Sequence, residues 1–244
     1  LLGCFHLPWV PQLIAILLGC GAVWEILGAN GIRNKGSYAA GLFLAVIIPL
    51  FSLTEKVWWM AAALVLGLGF FTYLMTRIGK QAPAWVAAPE IVLALSLYRG
   101  LACYGEIPHG AFFLCLTGLI CALTDIFAYL VGSRFGRHKL APKVSPGKSI
   151  EGALGGLGIT VVLIVLVFGR FFDDIGTLVL YTAVVSILGQ FGDLSMSAVK
   201  RVAGVKDFGH IFPGHGGILD RCDSLMYPLA FTWLLYCAQI WIFV

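Results

Sequence analysis

The sequence predicts an all-α membrane protein: a polytopic bundle of about eight transmembrane helices with a polar, candidate active-site cavity on its cytoplasmic side. Of the 244 residues, 60% are hydrophobic and only 11% are charged, and the mean hydropathy is +0.95. Such a chain has too few polar side chains to cover a water-soluble globule of this length. Its continuous apolar runs lack the alternation of barrel strands, so helices are the expected spanning elements.

The predicted spans follow from apolar runs that approach the roughly 20 residues needed for one crossing. In chain order they are residues 8–28, 38–53, 57–76, 85–104, 110–131, 152–168, 178–199 and 224–244. The second run is short and the fourth contains Glu90. We expect residues 1–104 to form N-terminal transmembrane helices and residues 105–244 to form a C-terminal catalytic region.

Basic residues divide unequally between alternate loops of this topology. One set of loops carries Arg33, Lys35, Arg77, Lys80, Arg134, Arg137, Lys139, Lys143, Lys148, Lys200, Arg201, Lys206 and Arg221. The opposite set carries only Lys56 and Arg170. Because cytoplasmic loops are enriched in Lys and Arg, the first set is predicted to be cytoplasmic. The expected location is the plasma (inner) membrane, with a multi-pass chain whose polar loops face the cytoplasm.

The most polar segment runs from Ser197 to Asp223, and it reads SAVKRVAGVKDFGHIFPGHGGILDRCD. Its cations suit phosphate oxygens, and its carboxylates are hard oxygen ligands that suit a divalent metal. The cations are Lys200, Arg201, Lys206 and Arg221, and the carboxylates are Asp207, Asp220 and Asp223. Together with Asp193 they indicate metal-assisted chemistry on phosphoryl groups.

A second polar loop, residues 132–151, carries five basic residues and ends in Ser-Pro-Gly-Lys-Ser immediately before an apolar helix. Ser145 or Ser149 could cap that helix, whose free N–H groups would favour an anion beside Lys148. The loop lacks Walker A spacing, so a P-loop ATPase is not predicted. The alternative is a basic loop that contacts lipid headgroups.

The aspartates Asp125 and Asp193 fall inside apolar runs. A carboxylate is costly in hydrocarbon unless it faces a polar cavity, so both are candidates for function, with a buried structural hydrogen bond as the alternative. Asp193 is favoured because it directly precedes the charged segment, and Ser195, Ser197 and Lys200 follow it on the same helical stretch. Glu25 and Glu90 lack such neighbours, and we interpret them as helix-packing or interface groups.

The run Pro213-Gly214-His215-Gly216-Gly217 cannot continue a helix and predicts a tight turn that approaches a ligand closely. The backbone N–H groups of this run, including those of Gly216 and Gly217, could face phosphate. His215 could contact a phosphate, orient Asp220, or only bond the turn backbone.

These residues resemble the signature of the CDP-diacylglycerol synthases, also called phosphatidate cytidylyltransferases. The signature runs Ser-x-x-Lys-Arg, Lys-Asp, Pro-x-His-Gly-Gly and Asp-Arg-x-Asp, and here it comprises Ser197, Lys200, Arg201, Lys206, Asp207, Pro213, His215, Gly216, Gly217, Asp220, Arg221 and Asp223. A second matching block comprises Asp125, Ala128, Tyr129, Gly132, Gly136, Lys139, Leu140, Pro142, Ser145, Pro146, Lys148, Glu151 and Gly152. The resemblance covers the second half of the chain.

The resemblance implies transfer of CMP from CTP to phosphatidic acid, giving CDP-diacylglycerol and pyrophosphate for phospholipid biosynthesis, in a homodimeric membrane enzyme. By analogy Asp193 and Asp220 bind Mg²⁺, with Asp223 as a further candidate ligand and K⁺ as a candidate second cation. The expected catalytic residues are Asp193, Lys200, Arg201, Asp220 and Arg221. The expected substrate- and phosphate-binding residues are Lys148, Ser145, Ser197, Lys206, His215, Gly216, Gly217 and Asp125.

Two other classes share some of these features. An ion-coupled transporter could use Asp125 and Asp193 beside a Gly/Pro-broken segment, although no inverted repeat is evident. A CTP-dependent polyprenol kinase would also join a nucleotide to a membrane lipid, but it would transfer the γ-phosphate. The reaction product distinguishes these classes.

Overall fold

The computed structural model describes residues 9–50, 65–66, 69–70, 73, 87–102, 104, 109–209 and 216–238. Its long helices are α1 (Trp9–Ala29), α2 (Lys35–Leu50), α3 (Ala87–Ala102), α4 (Gly110–Phe135), α5 (Ile150–Phe168) and α6 (Ile175–Ala203). The short helix α7 (Leu219–Cys222) and the last helix α8 (Met226–Cys237) follow. A single 3₁₀ turn, Gly169–Phe171, closes α5.

Within the described ranges, four helices are long and apolar enough to cross a membrane: Trp9–Ala29, Gly110–Phe135, Ile150–Phe171 and Ile175–Ala203. The helix Lys35–Ile48 is apolar but shorter. Together they define a helical membrane protein. Most of the predicted third span, 57–76, lies outside the described residues, as does the end of the predicted span 224–244.

One element departs from the all-α prediction. Strands β1 (Lys139–Ala141) and β2 (Ser145–Ser149) pair antiparallel and form a small hairpin between α4 and α5. The sequence predicted an irregular polar loop here, because the strands are short and polar and lack an alternating apolar face. The hairpin returns the chain directly to the start of α5, so these two helices are antiparallel neighbours.

Two helices are longer than their apolar runs suggested. Helix α4 continues beyond Val131 to Phe135, and α6 continues beyond Val199 to Ala203. Gly204 then ends α6 in the left-handed conformation, where its N–H bonds back to the carbonyls of Lys200 and Arg201. Asp193, Ser197 and Lys200 therefore lie at successive turns on one face of a single helix.

The helices enclose two apolar clusters. The larger cluster joins α1, α3, the C-terminal half of α6 and α8, and it includes Ile26, Leu97 and Tyr227. The smaller cluster joins α4, α5 and the start of α6 around Ile120 and Ile164. Because the larger cluster contains residues from both predicted regions, 1–104 and 105–244, the N-terminal helices pack directly on the elements that carry the candidate site.

Candidate functional site

A cavity of about 460 Å³ lies where the C-terminal part of α4, the hairpin, the start of α5 and the second half of α6 meet. Its polar lining comes from segments that are far apart in the sequence: Asp125, Tyr129, Ser133, Ser145, Lys148, Ser149, Gln190 and Asp193. The predicted residues Asp125, Ser145, Lys148 and Asp193 are thus brought together. The cavity is large enough for a phosphorylated ligand.

Lys148 and Asp193 form an ion pair within this cavity. Lys148 lies in β2, and Asp193 lies on α6, 45 residues further along the chain. The opposite oxygen of Asp193 accepts a hydrogen bond from the Ser197 hydroxyl at 3.4 Å. Each side chain of the ion pair remains a little over one quarter exposed, at 28% and 27%, so the pair is open to a ligand.

The N-terminus of α5 fixes the position of Lys148. Of the two predicted caps, Ser149 is the one that caps this helix, and its hydroxyl accepts from the Gly152 N–H at 3.1 Å. Ser145 lies instead in β2 and lines the cavity. Because Lys148 directly precedes the cap, the start of α5 orients the lysine at the cavity wall.

A second ion pair joins Lys200 to Asp220 at 2.8 Å, and both side chains are almost buried. The other Asp220 oxygen accepts from the backbone N–H groups of Phe208 and Gly217, each at 2.9 Å. Burial opposes ionisation of Asp220, but the bond from Lys200 and these N–H groups hold the pKa of its carboxyl below its ordinary value. Asp220 therefore stays anionic at neutral pH and ties α6 to both sides of the glycine-rich turn.

Asp223 lies close enough to Asp193 and Asp220 for their negative charges to affect its pKa. Burial and, after it, the charge of Asp193 raise the pKa of Asp223 to about 7, against the lowering effect of Lys200. Within the described residues, no group of three or more acidic, His or Cys side chains is already arranged around a metal position. In this state Asp193 and Asp220 each have a lysine partner instead.

Arg201 contacts backbone carbonyl oxygens of two segments. Its guanidinium donates to the carbonyl oxygens of Val144 at 3.1 Å and Val205 at 3.3 Å. It therefore joins the hairpin to the end of α6, and its predicted contact with phosphate stays a prediction. Arg221 and Lys206 are exposed on the surface.

The glycine-rich turn is described only from Gly216 onward. Gly216 has φ +82°, which side chains rarely adopt and which agrees with the tight turn predicted from the sequence. Gly217 donates its N–H to Asp220. His215 and Pro213 lie outside the described residues, so the alternatives for His215 stay open.

Two polar residues near the site were not among the predicted site residues. Gln190 lines the cavity three residues before Asp193, and its amide donates to the Ala153 carbonyl at 3.3 Å. Spacing along the predicted helix could have identified it, because residues three apart share a face. Glu25 contacts the backbone beside Asp220, and nothing local in the sequence of α1 indicates that contact.

The fold and the cavity define a helical membrane protein with paired lysines and carboxylates suited to phosphorylated ligands. A family model described as "Cytidylyltransferase family" matches residues 1–238. The chain belongs to this family.

Several relatives carry a more specific name. A protein of Staphylococcus haemolyticus named phosphatidate cytidylyltransferase is 37% identical over 227 residues, covering 89% of this chain and 86% of the relative. Proteins of the same name from Staphylococcus epidermidis and Staphylococcus aureus are each 36% identical, covering 90% of this chain and 87% of the relative. The similarity thus extends over both the N-terminal helices and the candidate site.

Proposed function

We propose that this chain is a phosphatidate cytidylyltransferase, which transfers CMP from CTP to phosphatidic acid and releases pyrophosphate. Family membership and relatives of that name, matched over nine-tenths of the chain, support the reaction. We place the reaction in the cavity where Lys148 of the hairpin forms an ion pair with Asp193 of α6, and this cavity is the main structural support for the proposal. A polyprenol kinase and an ion-coupled transporter are not favoured by these relatives.

The reaction needs electrostatic help more than a strong base. A phosphate oxygen of phosphatidic acid, already anionic near neutral pH, attacks the α-phosphorus of CTP; the new O–P bond forms as the bond to the β-phosphate oxygen breaks. Two polyanions must approach each other, and pyrophosphate must leave with added charge. The cations assigned to this task are Lys148, Lys200, Arg201, Lys206 and Arg221.

The cavity also supplies groups that can orient the substrates. The hydroxyl of Ser145, on the cavity wall, can donate to a phosphate oxygen. Ser197, which donates to Asp193, and the Gly216–Gly217 turn, which holds Asp220, are proposed as further phosphate-binding groups. Asp125 is a carboxylate on the cavity wall, where it can accept hydrogen bonds from a ligand.

Mg²⁺ is the proposed cofactor, with K⁺ as a candidate second cation. The donor chemistry fits, because Asp193, Asp220 and Asp223 offer hard carboxylate oxygens. The pKa of Asp223 is raised first by burial and then by the charge of Asp193, and a bound cation would relieve that repulsion between carboxylates. When bound, the ion would offset the charge of the phosphates and of the leaving pyrophosphate. We further propose a homodimer, as the family resemblance implies. The cavity is proposed to face the cytoplasm of the inner membrane, since residues 132–151 and 197–223 carry nine of the fifteen loop cations.

The test is product analysis with purified protein, phosphatidic acid and CTP labelled in parallel at the α- or the γ-phosphate. We expect α-label in CDP-diacylglycerol and γ-label in pyrophosphate, and both only when Mg²⁺ is present. Transfer of γ-label to the lipid would establish a kinase instead. Ion flux in vesicles without any nucleotide product would establish a transporter.

A further inference from the structure

Glu25 occupies an unusual position for a carboxylate. It lies near the C-terminal end of α1 and is only 3% exposed. Its two oxygens accept hydrogen bonds from the backbone N–H groups of Ile218 at 2.7 Å and Leu219 at 2.8 Å. These residues are 193 and 194 positions further along the chain and directly precede Asp220.

The surrounding chain is shaped to admit this carboxylate. A Cβ added to Gly217 would lie 2.3 Å from the nearer Glu25 oxygen, and one added to Gly209 would lie 2.8 Å from it. One turn earlier on the same face of α1, a Cβ added to Gly21 would lie 2.8 Å from the Ile218 side chain. The side chain of Ile218 therefore packs against α1 beside Gly21, and the backbone N–H of Ile218 is bonded to Glu25 of the same helix.

The contact reaches Asp220 through the turn itself. Gly217 donates to Asp220, Glu25 receives the next two N–H groups, and Asp220 pairs with Lys200. A hydrogen bond from a backbone N–H to a carboxylate is stronger than one between neutral groups, and burial protects it from competing water. The orientation of the Asp220 carboxylate thus depends on the position of α1.

We propose that Glu25 is a positioning residue for the catalytic turn: its carboxylate, supplied by the N-terminal helices, holds residues 216–220 so that Asp220 faces Lys200 and the reacting phosphates. This inference rests on the proposed cytidylyltransferase function for its kinetic consequence. Its structural consequence, a turn fixed by α1, is independent of that function.

The variant to test is Glu25→Gln, which keeps the size of the side chain but replaces one acceptor oxygen with an NH₂ group that cannot accept from Ile218 or Leu219. The matched control is Glu90→Gln, because Glu90 is also 3% exposed and accepts from Asn30 at 3.0 Å, away from the turn. Glu25→Asp keeps the charge and shortens the reach by one methylene, so partial rescue is expected.

Two readouts separate positioning from general stability. Hydrogen–deuterium exchange should accelerate in peptides covering residues 216–222 of Glu25→Gln, while peptides from α4 and α5 keep wild-type rates. The kcat for CDP-diacylglycerol formation should fall on the order of tenfold or more, with a raised Mg²⁺ requirement and a KM for CTP within about twofold of wild type. Glu90→Gln should show neither change, whatever its effect on Tm.

Wild-type exchange at 216–222 together with wild-type Mg²⁺ dependence in Glu25→Gln would overturn the proposal. So would faster exchange spread evenly over the molecule, since that pattern marks a structural residue only. A wild-type protein that forms no CDP-lipid would refute the proposed function, whereas the exchange result would still decide whether Glu25 fixes the turn.

Discussion

At the scale of single residues, the site consists of two lysine–carboxylate pairs on one helix face. Asp193 and Lys200 are seven residues apart on α6, and each has a partner from a different segment: Lys148 from the hairpin and Asp220 from the glycine-rich turn. The more exposed pair lines the cavity, and the more buried pair fixes the turn. Substitution of Asp193 and substitution of Asp220 should therefore differ in their effect on the stability of the protein.

Asp193→Asn and Asp220→Asn should each abolish nearly all CDP-diacylglycerol synthesis, because Asn keeps the size of Asp but removes the charge that Mg²⁺ and the lysines need. Asp220→Asn should also lower the free energy of unfolding by about 2 kcal/mol, since it leaves a nearly buried Lys200 without its counter-ion. Asp193→Asn should not, because both members of its pair are more exposed. Activity assays and thermal unfolding in detergent measure the two effects.

The control is Asp173→Asn, which alters an exposed carboxylate outside the cavity and should retain wild-type activity. Normal Mg²⁺-dependent turnover by Asp193→Asn or Asp220→Asn would remove that residue from the metal-binding role.

At the scale of elements, close packing of α4 against α5 sets the width of the cavity. Gly152 and Gly156 are one helical turn apart and face α4, where an added Cβ would lie 2.6 Å from the Ala128 carbonyl oxygen and 2.7 Å from the Thr124 carbonyl oxygen, respectively. Small residues at this spacing allow transmembrane helix backbones to approach closely. The hairpin that joins the two helices is short, so their separation also positions Lys148.

Gly156→Ala should therefore destabilise the protein by about 1–3 kcal/mol, because the new methyl group meets backbone atoms that cannot rotate away. Activity should fall as well, because a shift of α5 would move the adjoining strand β2 and separate Lys148 from Asp193. Gly158→Ala is the matched control, because nothing lies within 4 Å of a Cβ at that position. Equal unfolding temperatures for the two variants would contradict this account of the α4–α5 contact.

At the scale of the whole molecule, the distribution of exposed apolar side chains indicates lipid contact. Leu154, Val162, Leu166 and Leu180 on α5 and α6 are between 56% and 75% exposed, although such surface is unfavourable in water. The buried faces of the same helices form the smaller apolar cluster. Helices α4, α5 and α6 thus bury one face in protein and present the other to hydrocarbon.

Because α5 and the turn after it are long and apolar enough to cross the membrane, the hairpin and the loop before α6 should lie on opposite sides. In a background without the seven native cysteines, Lys143→Cys should react with a membrane-impermeant maleimide only from the cytoplasmic side, and Asp173→Cys only from the other side. Reaction of both after detergent permeabilisation is the control for accessibility. Labelling of both from one side of intact membranes would rule out α5 as a spanning helix.

Much of the site was predictable because its signals are local. Lys148 before a helix start, Asp193 in an apolar run and Asp220 beside a glycine-rich turn can each be recognised from neighbours in the chain. Arg201 was a less complete prediction, since its partner Val144 is 57 residues away. The hairpin was not predicted, because its short polar strands have no alternating apolar pattern and are stabilised mainly by the two packed helices that they connect.

The sequence alone determined that the chain has the apolar helices of a membrane protein and which side chains are candidates to bind phosphate, because transfer free energies and charge are properties of residue composition and order. The tertiary structure decided which of these side chains meet. It joined Lys148 to Asp193 and Glu25 to the turn before Asp220, since such pairings depend on helix packing across tens to hundreds of residues, where local propensity carries no information.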